Sequence, residues 1–331
     1  MPSRQQVASW MLLIYLAISL SVLISKQTAR IATKETHNPH LFTAHYSAER
    51  YLSLEDPFKP RLFAFLLVAP FIELDQKSSL PSSPGRISAA AFERLVAGWS
   101  FVWFLAVLLL YLGTARPLLY MFGTTAGVSF AYSLQAMVFP YDLPALFFST
   151  LILLLSVRAK AAWLPLALGL GTGFKETIVV FSFLTLFLEG PRKQRLRALA
   201  ICLLVCFAVL TAIDLYSQRD FLGFEAVTSA EDSEDASRPK LFLNPRIALD
   251  PSSLVLFANA GLALPLFLLP AGGDRLARGF RCIAILFAGG LFLLAQVNEL
   301  RIWFELIPLC LYNVTSFLDR SRTRQGASAD G

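Results

Sequence analysis

Apolar segments of about membrane-spanning length, separated by short polar connections, fill most of the chain. A transmembrane helix needs about 20 predominantly apolar residues, and fewer where the helix is short or re-entrant. By this criterion the pattern predicts about ten helices, at residues 8–25, 95–113, 117–137, 141–157, 161–172, 174–189, 198–214, 252–270, 279–297 and 302–318. The expected fold is therefore an all-α, polytopic transmembrane helix bundle.

The composition supports a membrane location. Of the 331 residues, 56% are hydrophobic and only 16% are charged, and the mean hydropathy of +0.58 is too high for a soluble protein of this length. Membrane-anchoring residues account for the net charge of +6, which therefore gives no support for nucleic-acid binding. The sequence also has none of the fingerprints of soluble enzymes, such as a P-loop, a dinucleotide-binding glycine motif or a nucleophile elbow.

Lysine and arginine in the short connections predict the orientation, because cytoplasmic loops carry an excess of both residues. One set of connections has ten of them, whereas the opposite set has only Lys175 and Arg301. The ten residues are Arg116, Arg158, Lys160, Arg192, Lys193, Arg195, Arg197, Arg275, Arg278 and Arg281. The first set is therefore predicted to be cytoplasmic, together with both chain termini, and the opposite set is predicted to face outward.

Two longer segments, 26–94 and about 215–250, are predicted to be external. The first contains an apolar stretch at 61–74 that is short and interrupted by Pro70, which favours an interfacial or re-entrant helix over a span. The second is charged and rich in turn residues, so it is either a solvated connector or a loop that closes over a substrate. The expected organisation is a first transmembrane helix (1–25), the external segment (26–94), a transmembrane bundle (95–318) and a cytoplasmic tail (319–331).

Three connections on the predicted outer face carry ionisable residues at the ends of apolar helices. Asp142 begins one helix, Lys175 and Glu176 follow a glycine-containing turn, and Glu299 and Arg301 open the last span. A charge at bilayer depth costs about 2.5 to 3.5 kcal/mol on insertion scales, so charges that persist there usually face a partner, a cavity or a ligand. We therefore interpret these five residues as candidate substrate ligands.

The residue types indicate different roles at these connections. Lys175 lies where a short helix turns below the membrane surface, and there it can reach an anionic group. Arg301 and Glu305 are four residues apart on one helix face and can form an ion pair, which would orient the planar guanidinium outward for a phosphate. Asp142 would either cap its helix or contact a substrate hydroxyl.

Several short motifs carry a family resemblance. Tyr46-Ser-Ala-Glu-Arg-Tyr51 and then Pro57-Phe-Lys-Pro-Arg61-Leu-Phe resemble the "Tyr, then Pro-Phe-x-x-Arg-Leu" pattern of bacterial multi-pass proteins placed near the GT-C class of glycosyltransferases. Tyr141-Asp-Leu-Pro-Ala145, Lys175-Glu-Thr177 and Asn298-Glu-Leu-Arg301 fit the same group. The resemblance implies transfer of a sugar from a polyprenyl-phosphate donor to an acceptor on the outer face of a bacterial inner membrane.

The resemblance also implies a general base in the first external segment, usually an Asp or a Glu. The candidates are Glu49, Glu55 and Asp56, each of which could take the proton of an acceptor hydroxyl. Lys175, Arg301 and Arg61 would stabilise the charge that develops on the departing phosphate. An apolar groove between short helices would hold the polyprenyl tail.

No metal site is assigned from the sequence, and a divalent cation is left as an open alternative. His37, His40 and His45 are the only histidines, but no regular helix would place all three on one face. The expected partners are the lipid-linked sugar donor and membrane lipid. Two other functions stay open: a transporter or flippase, in which the same charges would bind substrate or carry protons, and a non-catalytic subunit for polysaccharide assembly.

Overall fold

The computed structural model describes residues 4–34, 63, 67, 89–134, 141–218, 269, 274–294 and 304–329. All regular elements in this part of the chain are helices, which confirms the predicted all-α class. They are α1 (Arg4–Lys34), α2 (Ala89–Tyr111), α3 (Pro117–Leu134), α4 (Asp142–Val157), α5 (Leu164–Phe174), α6 (Arg192–Gln218), α7 (Arg275–Leu294) and α8 (Ile307–Ala329). A short 3-10 helix, Ala161–Trp163, precedes α5, and a long 3-10 helix, Glu176–Phe187, separates α5 from α6.

Two described helices are long and apolar enough to cross a membrane: Glu93–Tyr111 within α2 and Arg192–Ile213 within α6. They correspond to the predicted spans 95–113 and 198–214. Four other predicted spans appear as shorter apolar helices, Trp10–Lys26, Asp142–Val157, Ala161–Phe174 and Glu176–Phe187. The described part of the chain thus supports two spans by length and composition, fewer than the sequence predicted.

Helix geometry accounts for part of this shortfall. The 11 residues of α5 would rise only about 16 Å, roughly half of the hydrocarbon core of a bilayer. The 12 residues of the long 3-10 helix would rise about 24 Å, since this helix advances about 2.0 Å per residue. Most of the predicted external segments 26–94 and 215–250, and of the predicted span 252–270, lies outside the described residues.

The helices pack around a large apolar core and a smaller, separate aromatic cluster. Helix α1 packs against α2 and α3, α4 against α2 and α5, and α6 against α5 and the long 3-10 helix, which also packs against α7. Core side chains such as Phe104, Leu146 and Phe181 are fully buried. Gly171 permits the close approach of α5 to α4, because a Cβ atom there would lie 2.9 Å from the Cβ of Phe148. This close approach brings the start of α4 next to the end of α5.

Two of the basic connections that the charge pattern grouped together are in contact, and one of them also contacts α8. Arg158, which follows α4, donates a hydrogen bond of 2.7 Å to the carbonyl of Gly113 in the connection after α2. Arg116, in that same connection, forms an ion pair with Asp319 in the second half of α8. These three segments therefore lie at one end of the bundle, and the ionisable residues of α4 and α5 lie at the other.

Candidate functional site

Two of the three predicted outer connections meet in one place. Helix α4 begins at Asp142, as predicted. Helix α5 ends at Phe174, and the backbone becomes extended at the next residue, Lys175 (φ −156°, ψ 122°). The Lys175 ammonium lies 3.6 Å from a carboxylate oxygen of Asp142. Asp142 is 1% exposed and Lys175 is 3% exposed, so both charges are buried.

Glu305 is the third charged member of the site. Its Oε1 lies 2.5 Å from Nζ of Lys175, and its Oε2 accepts a hydrogen bond of 2.8 Å from the hydroxyl of Thr177. The sequence predicted that Glu305 would pair with Arg301; in the structure it pairs with Lys175, and Arg301 lies outside the described residues. We refer to Asp142, Lys175 and Glu305 as the charged cluster.

The charged cluster contains one ammonium and two carboxylates, all buried. Its formal charge is −1 when all three groups are ionised. Removal of such charges from water is costly, and it is compensated only when the groups are paired and hydrogen-bonded. The side-chain bond from Thr177 and the ring of Tyr141, whose centroid is 5.9 Å from Nζ of Lys175, add to that pairing.

Aromatic side chains line the cluster on the side of α5. The Phe174 ring, next to Lys175 in sequence, lies 5.2 Å from the ring of Trp103 in α2 and 5.4 Å from that of Phe148 in α4. It also contacts Phe63 edge-on, with ring centroids 6.0 Å apart. Phe63 belongs to the predicted interfacial stretch 61–74, so one residue of the segment predicted to be external contacts the residue before Lys175.

An apolar groove of about 400 Å³ runs between α4 and α5. Its walls are formed by Phe148, Leu151, Leu155, Leu166, Ala167 and Leu170, with Lys160 and Trp163 at the end that lies farthest along both helices from the charged cluster. Phe148 belongs both to the groove and to the aromatic lining described above. The groove therefore leads along the helix hairpin toward the charged cluster.

Several predicted site residues are not placed by the structure. Glu49, Glu55, Asp56, Arg61, Glu299 and Arg301 lie outside the described residues, as do His37, His40 and His45. Glu176 begins the long 3-10 helix and is half-buried. Within the described ranges, no group of three metal-ligating side chains comes together.

Sequence reasoning missed the pairing of Glu305 with Lys175 and the contribution of Thr177. A signal for the first was present, because Glu305 is a lone carboxylate within an apolar segment and Lys175 is the lone cation of another. The cluster can exchange a proton through a carboxyl group, or share its ammonium with an incoming anion. Protein-family models, curated proteins and solved structures were each compared with this chain, and none matches it.

Proposed function

We propose that this protein is a polytopic membrane glycosyltransferase of about ten spans. It would move a sugar from a polyprenyl-phosphate donor to an acceptor on the outer face of a bacterial inner membrane. The observation that carries the proposal is the meeting of Asp142 at the start of α4, Lys175 just after α5 and Glu305 just before α8. Phe63 of the predicted external segment packs against Phe174, the residue before Lys175. A transferase needs such a meeting point for donor and acceptor groups.

The orientation in this proposal follows from the basic residues. The connections that contain Arg116 and Arg158 contact each other, and Arg116 also pairs with Asp319 of α8, at one end of the bundle. Because basic loops are retained on the cytoplasmic side, we assign that end and both termini to the cytoplasm. The charged cluster at the opposite end then faces outward.

The charge balance of the cluster favours phosphate ligands that lie outside it. Lys175 is already shared by two carboxylates, so a donor phosphate would bring more negative charge to a site whose formal charge is −1. Arg301, one helical turn before Glu305 in sequence, and Arg61, two residues before Phe63, would supply the missing positive charge. Lys175 can donate three hydrogen bonds and would share them between the carboxylates and the phosphate.

The transfer step uses a carboxylate from the segment that contains Phe63. Glu49, Glu55 or Asp56 would take the proton of the acceptor hydroxyl while its oxygen forms the new bond to the anomeric carbon. The bond from that carbon to the phosphate oxygen breaks, and polyprenyl phosphate leaves with its negative charge held by the cations. The apolar groove beside Phe148 would hold the first part of the prenyl tail.

The proposal can be tested by measuring, in isolated membranes, the transfer of a radiolabelled sugar from a polyprenyl-phosphate donor. Lys175→Ala should abolish transfer while the protein remains in the membrane at normal abundance. Lys193→Ala is the matched control, since it removes an exposed lysine at the other end of the bundle. Transfer that is equal in both variants and in the parent protein would disprove the assignment of the site.

A transporter of an anionic or lipid-linked substrate is the second candidate, and the excess of buried carboxylates favours it. A carboxyl group that can hold a proton at bilayer depth is typical of proton relays in transporters. Purified protein in sealed vesicles would then move protons or substrate without any sugar donor, and Glu305→Gln would stop this movement. Activity in neither assay would indicate the non-catalytic assembly subunit.

A further inference from the structure

Two arginines from different helices converge on one backbone oxygen at the basic end of the bundle. Arg195 of α6 donates a hydrogen bond of 2.6 Å to the carbonyl of Leu186, and Arg275 of α7 donates one of 3.1 Å to the same oxygen. The two guanidinium groups are therefore within two hydrogen-bond lengths of each other. We refer to Arg195 and Arg275 as the arginine pair.

The carbonyl of Leu186 does not neutralise the arginine pair. Leu186 lies in the last turn of the long 3-10 helix, where a carbonyl is a favourable partner for one cation. Two cations on one uncharged acceptor repel each other. In the part of the chain that the structure describes, no carboxylate lies within 4.0 Å of either guanidinium.

Arg195 also has unused hydrogen-bonding capacity. Its Nε is buried and, among the described residues, has no acceptor. A buried donor without an acceptor carries a desolvation penalty that a ligand can remove. Because the side chain as a whole is only half-buried, a ligand can still reach the guanidinium.

A phosphate group satisfies each of these requirements. Its charge offsets the two cations, and its oxygens accept parallel hydrogen bonds from the planar guanidinium. Basic pockets between membrane helices on the cytoplasmic side are typical sites for the head groups of anionic lipids. The arginine pair lies where α6, α7 and the end of the long 3-10 helix meet, and the proposed orientation puts this junction on the cytoplasmic side.

We propose that the arginine pair binds a phosphate group at the end of the bundle opposite the charged cluster, and that an anionic phospholipid supplies it. The site would hold α6, α7 and the long 3-10 helix together through one shared anion. This inference depends on the membrane placement of the bundle but not on sugar transfer. An inactive transferase would leave it intact.

Thermal unfolding of the full-length protein in detergent, with and without added ligand, tests the inference. Phosphatidylglycerol should raise the Tm, and phosphatidylcholine at the same concentration should not. Arg195→Gln should weaken the apparent affinity for phosphatidylglycerol by about tenfold or more, since it removes a charged hydrogen-bonding partner. Arg192→Gln is the matched control, because it removes an exposed arginine from the first turn of the same helix.

Two further measurements complete the test. One distinguishes a lipid head group from free phosphate, and the other uses a second variant in case the first does not fold. Inorganic phosphate that raises the Tm as much as the lipid does would identify a free-anion site, whereas an effect of the lipid alone identifies the head group. Arg275→Gln tests the same pocket from α7 if Arg195→Gln does not fold. An equal Tm in all ligands, or an unchanged lipid response in both variants, would overturn the inference.

Discussion

Loss of the cation of the charged cluster should lower stability more than loss of one of its two carboxylates. Lys175→Met leaves Asp142 and Glu305 as two buried carboxylates without their shared ammonium. Removal of one partner from a buried ion pair costs about 3 to 5 kcal/mol. Glu305→Gln instead leaves one ammonium with one carboxylate, so its cost should be limited to a lost charged hydrogen bond, about 1.5 to 3 kcal/mol.

The double variant sharpens the prediction. Once Lys175 is methionine, Glu305→Gln removes a carboxylate that repels Asp142. The double variant should therefore lose less stability than the two single variants added together, with a coupling energy of about 0.5 to 3 kcal/mol. Thr177→Val should lower stability in the parent protein, because the hydroxyl donates to Oε2 of Glu305 at 2.8 Å. It should cost less when position 305 is already glutamine, since the acceptor is then uncharged.

Reversible unfolding in mixed micelles, followed by circular dichroism, would measure these free energies. Lys193→Met is the control for the loss of a lysine side chain, because Lys193 is exposed on α6 and should leave the free energy of unfolding unchanged. A cost for Glu305→Gln that equals or exceeds that of Lys175→Met would refute the charge accounting. A purely additive double variant would refute the contact itself.

Two further predictions concern the first external segment and the orientation of the bundle. Gly173→Ala places a Cβ atom 2.4 Å from the ring of Phe63, so it should lower the free energy of unfolding by about 1 to 3 kcal/mol. The same unfolding assay would measure this loss. Gly98→Ala is the control, because its Cβ atom meets nothing within 4 Å and the change should be neutral or slightly stabilising. In a background without the four native cysteines, Glu55→Cys should react with an impermeant thiol reagent added outside whole cells and Gln194→Cys should not, and the reverse labelling pattern would overturn the orientation.

The hydrophobic pattern was sufficient to predict the helical class and several helix boundaries. It predicted a helix starting at Asp142 and a break between two short apolar pieces near Lys175, and both features are present. The pattern works here because these boundaries coincide with Pro, Gly and charged residues, which interrupt apolar segments. Boundaries of this kind depend only on residues that are close in sequence, so the sequence alone predicts them.

The winding of the segment after Lys175 was not predictable in the same way. The sequence pattern of a helix with 3.0 residues per turn can be distinguished from that of a helix with 3.6 only if polar residues lie along one face. Glu176–Phe187 is apolar on nearly all sides, so its sequence carries no period that distinguishes the two. The predicted number of spans was higher than the described part of the chain supports, for a related reason. The length of an apolar segment limits how long a helix can be, but it does not determine where the helix ends.

The partners of the buried charges depend on tertiary packing. Thr177 and Glu305 are 128 residues apart, and a rotation of about 100° of either helix would place a neighbouring residue at the contact instead. The sequence offered a nearer partner for Glu305, Arg301, at a spacing that helix geometry favours. In the structure, where α8 packs against α4, Glu305 contacts Lys175.

The pairing of Glu305 with Lys175 changes the chemistry expected of the site. An ammonium between two carboxylates is a poor first contact for a phosphate, since the phosphate must approach a region of net negative charge. The cluster therefore fits best as a buried support that fixes the ends of α4, α5 and α8, with the phosphate held chiefly by cations from outside it. The transferase and the transporter then differ in one physical respect: a transferase needs this additional positive charge at the cluster, whereas a transporter can balance the same excess of carboxylates with a proton.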